Sequence, residues 1–119
     1  MHTVLLVDDQ PEFLDLARAM LSVHPALSVV GEAQSCGQAL ELVPDLNPNV
    51  AIVDVQMPRM SGFEAVRRLL DASPTLRVIL VSAYSDPQYL PLAHSVGAIG
   101  FLHKRAFSAD AIVSLLAEN

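Results

Sequence analysis

The chain has one cysteine in 119 residues, Cys36, so no internal disulfide can staple it. A solitary thiol suits a reducing compartment, and Cys36 is read as a packed small residue rather than a reactive group. Basic residues are scarce too: seven Lys and Arg stand against 13 Asp and Glu, for a net charge of −6. Phosphate binding needs a basic face, so direct binding of nucleic acid by this chain is not expected. No apolar run approaches the ~20 residues that span a bilayer, which argues against a membrane segment. The N-terminal stretch MHTVLLVDDQ carries neither a basic leader nor a small-residue cleavage site. No signal peptide is read there, and a cytoplasmic location is expected. His2, His24, His94 and His103 show no metal-ligand spacing and read as surface or loop residues.

What is abundant is apolar. Hydrophobic residues make up 52 %, enough for a globular chain of one domain. Short apolar runs alternate with helical periodicity five times. The runs Thr3 to Val7, Leu27 to Ala33, Val50 to Asp54, Leu76 to Ser82 and Ile99 to Leu102 read as strands. Helices are expected from Pro11 to about Val23, with Phe13, Ala17, Met20 and Leu21 facing inward, and from Cys36 to Leu46 behind a Ser35 cap. Pro44 should fray the end of the second. A third should start near Gly62, where Ser61 and Glu64 match a capping box. A fourth, from about Pro87 to Val96, is interrupted by Pro91 and should start late or be loose. The last should run from about Ala109 to Ala117 behind Ser108. Nearly continuous apolar strands suit parallel pairing with both faces covered, so the class is a doubly wound α/β sheet.

In such a sheet ligands bind beyond the carboxyl ends of the strands. The first strand ends in Asp8 and Asp9, the third in Asp54 and the fourth in Ser82; Lys104 follows the fifth. Three carboxylates at one edge repel one another, and a hard divalent cation such as Mg²⁺ relieves this. A lysine and a hydroxyl beside an acidic metal site suit a bound phosphoryl group.

The stretches LLVDDQ, VDVQMPRMSGFE, VSAY and GFLHK, in this order, resemble the receiver domain of bacterial two-component response regulators. DVQMP, GFEAVRRL and GAIGFLHK are most similar to the helix-turn-helix subfamily of NarL, FixJ and LuxR type, whose receivers precede a DNA-binding domain. The resemblance implies a (βα)5 flavodoxin-like sheet in strand order 2-1-3-4-5, an order that is a standard example for doubly wound folds. It implies that Asp54 is the phosphoacceptor, charged by a sensor histidine kinase. Mg²⁺ would be held by Asp8, Asp9, Asp54 and the backbone carbonyl of Gln56. Lys104 would neutralise phosphoryl charge, Ser82 would move to bond the phosphoryl group, and Phe101 would be the switch aromatic. Those motions would reshape the face of the fourth helix, fifth strand and fifth helix. Gln56 and Tyr84 occupy the two positions that govern water access in the family, so bulky Tyr84 is expected to slow hydrolysis. Phosphorylation-dependent dimerisation is a further expectation. Residues 1–119 would form one receiver domain, with the output domain absent from this chain.

The sequence departs from the family in three places. Arg105 follows Lys104 where many relatives carry a proline, so a trans bond is expected there. Arg59 and Ser61 replace a common glycine and aspartate in the loop after Asp54. The chain would not be an enzyme with an external substrate, since it would catalyse only its own phosphorylation and dephosphorylation. Two alternatives stay within the fold: a stand-alone response regulator, or a receiver-like interaction module independent of phosphorylation. A phosphatase with a nucleophilic aspartate would want two aspartates spaced by one residue after the first strand; here Asp8-Asp9-Gln10 stands. A flavin protein would want a Ser/Thr/Gly-rich phosphate loop where DDQPEF repels phosphate.

Overall fold

A computed structural model of the chain describes residues 1–118. Five strands, β1 (His2–Val7), β2 (Leu27–Ala33), β3 (Val50–Asp54), β4 (Arg77–Ser82) and β5 (Gly100–His103), form one parallel sheet in the order β2-β1-β3-β4-β5. Helices α1 (Pro11–Ser22), α2 (Cys36–Leu46), α3 (Gly62–Ala72), α4 (Tyr89–Ser95) and α5 (Ala109–Glu118) connect and follow them. This is the doubly wound α/β class that the apolar runs imply.

The period-two alternation of the central strands sorts side chains into two cores. Leu5, Val7, Ala51, Val53, Val78 and Leu80 face α2, α3 and α4. Val4, Leu6, Val50, Ile52, Ile79 and Val81 face α1 and α5. Every residue of β3 is buried, so that strand has no solvent face. Each fully buried Val, Leu or Ile contributes roughly 1.5–3 kcal/mol of transfer free energy. These central strands are therefore a rigid base for whatever their ends carry.

One local expectation needs correction, the fraying of α2 at Pro44. Helix α1 turns Phe13, Ala17, Met20 and Leu21 to one core as expected, with Leu14 beside them and Phe13 and Met20 half-buried. Phe13 is turned along the helix toward Phe107, whose ring lies edge-on at 5.3 Å. Helix α4 starts at Tyr89, two residues after Pro87, the late start expected from Pro91. Pro91 thereby falls in the first turn, where a backbone N–H has no intrahelical partner to lose. Helix α2 runs through Pro44 to Leu46 and is closed by Asn47 in the left-handed conformation, whose N–H reaches Val43 O at 2.8 Å. A 3-10 turn at Lys104–Ala106, absent from the pattern reading, follows β5; His103 Nδ1 caps it by accepting from Arg105 N–H. There is no cis peptide bond among the described residues, as expected after Lys104. Cys36 is buried in the first core.

Candidate functional site

The three middle strands, β1, β3 and β4, end side by side. Their ladder continues one step beyond: Asp8 N–H bonds Ala33 O, and Val55 N–H bonds Val81 O, both at 2.9 Å. The backbone that bears Asp8 and Asp54 is thus held as firmly as the strands. Asp8 Oδ1 accepts Gln10 N–H at 2.8 Å, which turns the chain into α1 with Pro11 at its first position. After β3 the loop doubles back, and Gly62 N–H bonds Val55 O at 2.8 Å. A Cβ on Gly62 would stand 2.3 Å from the Asp54 carbonyl oxygen and 2.8 Å from Val55 Cα. Only glycine lets α3 start so close to the Asp54 backbone. Arg59 takes the left-handed conformation, φ 71°, in this loop. Ser61 Oγ accepts Glu64 N–H as the cap, while Glu64 pairs with Arg68 at 3.5 Å.

Asp8, Asp9 and Asp54 each bring one carboxylate oxygen within 4.8 Å of the others. Asp8 and Asp54 are buried. Lys104 Nζ sits 2.7 Å from Asp8 Oδ2, 3.7 Å from Asp54 Oδ1 and 3.4 Å from Gln10 Oε1. One ammonium cannot balance three carboxylates. Burial pushes the Asp54 carboxyl up from 3.8 to about 6; Asp8 adds to the rise, Lys104 and the Gln56 backbone hydrogen bond oppose it, and Asp9 adds a little more. Asp8 Oδ2 and Asp54 Oδ1 are buried without a hydrogen-bond partner, the short Asp8–Lys104 contact being an ion pair without hydrogen-bond geometry. Unsatisfied buried carboxylate oxygens facing one another are what a hard, oxygen-seeking cation would satisfy. The residues fit Mg²⁺.

Ser82 is fully buried at the end of β4. Its Oγ donates to Gln56 Oε1 at 2.6 Å and accepts Tyr84 N–H at 3.0 Å. Tyr84 reaches the site through its backbone, while the residue is 66 % exposed. Gln56 Nε2 donates to the Tyr89 hydroxyl at 2.9 Å. Tyr89 in turn lies edge-on to Phe101 at 5.5 Å and tilted against Phe63 at 5.7 Å. Phe101 is half-buried on β5, packed on the first core. Asp8, Asp9, Asp54, Ser82, Gln56 and Lys104 therefore meet at one edge, and Phe101 joins them through Tyr89. Two residues escaped the sequence reading. Phe13 places its ring centroid 4.2 Å from Lys104 Nζ, a cation–π contact. Tyr89 carried no signal beyond being an aromatic at the start of a short helix.

The site is thus a buried carboxylate, an acidic pocket, a lysine and a hydroxyl gathered at the carboxyl edge of a parallel α/β sheet. The chain belongs to the response regulator receiver domain family, whose pattern matches residues 4–117. It is 32 % identical over 110 residues to the transcriptional regulatory protein DegU of Brevibacillus brevis, covering 92 % of this chain and 46 % of that protein. It is 32 % identical over 113 residues to the nitrate/nitrite response regulator NarL of Escherichia coli K12, covering 95 % and 52 %. The chain thus spans about half the length of these relatives. The signal receiver domain of the putative response regulator NarL from Mycobacterium tuberculosis superimposes with a TM-score of 0.88 at 31 % identity, over 99 % of this chain and 98 % of that one. No helix among the described residues is long and apolar enough to cross a membrane.

Proposed function

We propose that Asp54 accepts a phosphoryl group from the phosphohistidine of a sensor histidine kinase, and that the resulting acyl phosphate switches an output. The observation that carries this is the buried Asp54 carboxylate, with an unsatisfied Oδ1 beside Lys104 at the rim of an acidic pocket. A carboxylate oxygen attacks phosphorus in line; a P–O bond forms as the P–N bond breaks, and the imidazole leaves with the electron pair and takes a proton. Lys104 lies between Asp8 and Asp54, within reach of an equatorial phosphoryl oxygen. Asp8, Asp9, Asp54 and the Gln56 carbonyl would hold Mg²⁺. Bound there, the ion supplies positive charge that offsets both the carboxylates and the incoming phosphoryl oxygens.

Ser82 would turn its proton from Gln56 to the new phosphoryl group, and Phe101 would move inward behind it. That two-state change would reach the face of α4, β5 and α5. Tyr84 would slow hydrolysis by lying over the group. The chain would catalyse only its own phosphorylation and dephosphorylation. The likeness to DegU, a transcriptional regulatory protein, supports a transcriptional output through a DNA-binding domain outside this chain; dimerisation on phosphorylation is a further part of the proposal. A cytoplasmic setting is part of the same reading.

The test is intact-protein mass spectrometry after acetyl phosphate and Mg²⁺, beside Asp54→Asn. One added phosphoryl group in the parent alone, released by hydroxylamine, is the expected result. No gain from acetyl phosphate or from a purified kinase, with Mg²⁺ unbound, would make the chain a phosphorylation-independent interaction module instead.

A further inference from the structure

Ser82 has one proton, and in this structure it is committed. At 2.6 Å from a carbonyl oxygen, which has no hydrogen to offer, the hydroxyl must be the donor to Gln56 Oε1. Bonding a phosphoryl oxygen requires the same proton, so Gln56 and the phosphoryl group compete for it. What keeps Oε1 facing Ser82 is the other end of the amide. Nε2 donates to the Tyr89 hydroxyl at 2.9 Å, and turning the amide over would bring its NH₂, not its oxygen, to Ser82. Tyr89 itself is fixed between the rings of Phe63 and Phe101. Its hydroxyl is the group that accepts from the amide.

We infer that Tyr89 is a positioning residue: by anchoring Gln56 Nε2 it holds the amide oxygen on the Ser82 hydroxyl, and so sets how readily Ser82 gives its proton to a phosphoryl group on Asp54. The inference rests on the proposed phosphoacceptor role of Asp54. Without the phenol, the amide can turn over. Nε2 then donates to Ser82 Oγ, and the Ser82 proton is free for the incoming group. Tyr89 acts only through Gln56 and Ser82, and it touches no reacting atom.

Tyr89→Phe removes the hydroxyl and keeps the ring between Phe63 and Phe101. Phosphorylation by acetyl phosphate and Mg²⁺ is followed by mass spectrometry in the parent, Tyr89→Phe, Ser82→Ala and the double variant. The expected result is about fivefold faster uptake in Tyr89→Phe, the worth of one ordinary hydrogen bond. That gain should vanish in the Ser82→Ala background, because Ser82 transmits it. A looser α4, the merely structural effect, would speed uptake equally with or without Ser82. Equal or slower uptake in Tyr89→Phe, or a gain that survives Ser82→Ala, overturns the positioning role and leaves the phosphoacceptor role standing. No uptake by the parent from acetyl phosphate or a kinase overturns both. The Gln56 side-chain NH₂ resonances, read by NMR without phosphodonor, should shift in Tyr89→Phe; no shift overturns the Tyr89–Gln56 link on its own.

Discussion

Replacing Asp54 by asparagine should stabilise the metal-free protein, although the residue is the one on which the proposed chemistry turns. The folded-state carboxyl is raised from 3.8 to about 6, chiefly by burial and then by Asp8. A raised pKa means the folded state holds the proton more tightly than the unfolded chain. Stability is then fully present below about pH 4 and is lost as pH climbs through 6. Two pKa units correspond to ~3 kcal/mol, so ionised Asp54 costs the folded state about that much above pH 7. Asparagine has the same shape and no charge, and Lys104 keeps its 2.7 Å contact with Asp8. The gain should be about 1 kcal/mol at pH 4.5 and ~3 kcal/mol at pH 8. In a domain whose total stability is on the order of 5–15 kcal/mol, that is a large fraction.

The chain has no tryptophan, so urea unfolding is best followed by far-UV circular dichroism, with a chelator present, between pH 4.5 and 8. The midpoint of Asp54→Asn should pull away from that of the parent as pH rises. A difference that stays flat across this range, or a parent that is the more stable at pH 8, would refute the claim that burial and Asp8 penalise the charge.

Other consequences are local. Phe13→Leu keeps an apolar residue on α1 but removes the ring 4.2 Å from Lys104 Nζ. Cation–π contacts of this kind contribute about 0.5–1 kcal/mol, so uptake from acetyl phosphate should slow about two- to fivefold. An unchanged rate would leave that contact without a role. Gly62→Ala should destabilise by about 1–3 kcal/mol, because the new Cβ meets the Asp54 and Val55 backbone rather than a side chain that can yield. Urea unfolding measures this, and a neutral change would mean that the loop shifts freely. Tyr84→Ala should shorten the life of the phosphorylated form, followed by mass spectrometry after donor removal; an unchanged half-life would end the shielding role.

Much of the site was legible because its residues end strands. An apolar run followed by Asp8, Asp54 or Ser82 announces both the strand and its terminus, and parallel strands must share an edge. The bounds of β2, α2 and β3 agree with the pattern for the same reason: caps and breaks at Ser35, Asn47 and Asp54 are local. What stayed hidden depends on partners distant in sequence. Phe13 follows the apolar period of α1, yet nothing in that period shows that its ring meets Phe107 and Lys104, more than 90 residues on. Tyr89 is 33 residues from Gln56, and no spacing rule announces that a tyrosine will hold that amide. The 3-10 turn after β5 depended on a cap by His103 to Arg105 N–H.

The same burial that penalises the Asp54 charge links cation binding to pH. A proton and a divalent cation compete for this carboxylate, and each relieves the repulsion from Asp8 and Asp9. A carboxyl of about 6 is almost wholly ionised at pH 8 and about nine-tenths protonated at pH 5. Apparent Mg²⁺ affinity should therefore fall about tenfold from pH 8 to pH 5 through Asp54 alone. Thermal unfolding against Mg²⁺ concentration at the two pH values measures this, since a ligand of the folded state raises stability as RT ln(1 + [L]/Kd), from which Kd is read. In Asp54→Asn the titrating group is gone, so this tenfold change should disappear even where residual Mg²⁺ binding persists through Asp8 and Asp9. An equal pH dependence in parent and variant would move the competing proton to another carboxylate of the cluster. The burial of β3 would then hold Asp54 in position without setting its charge.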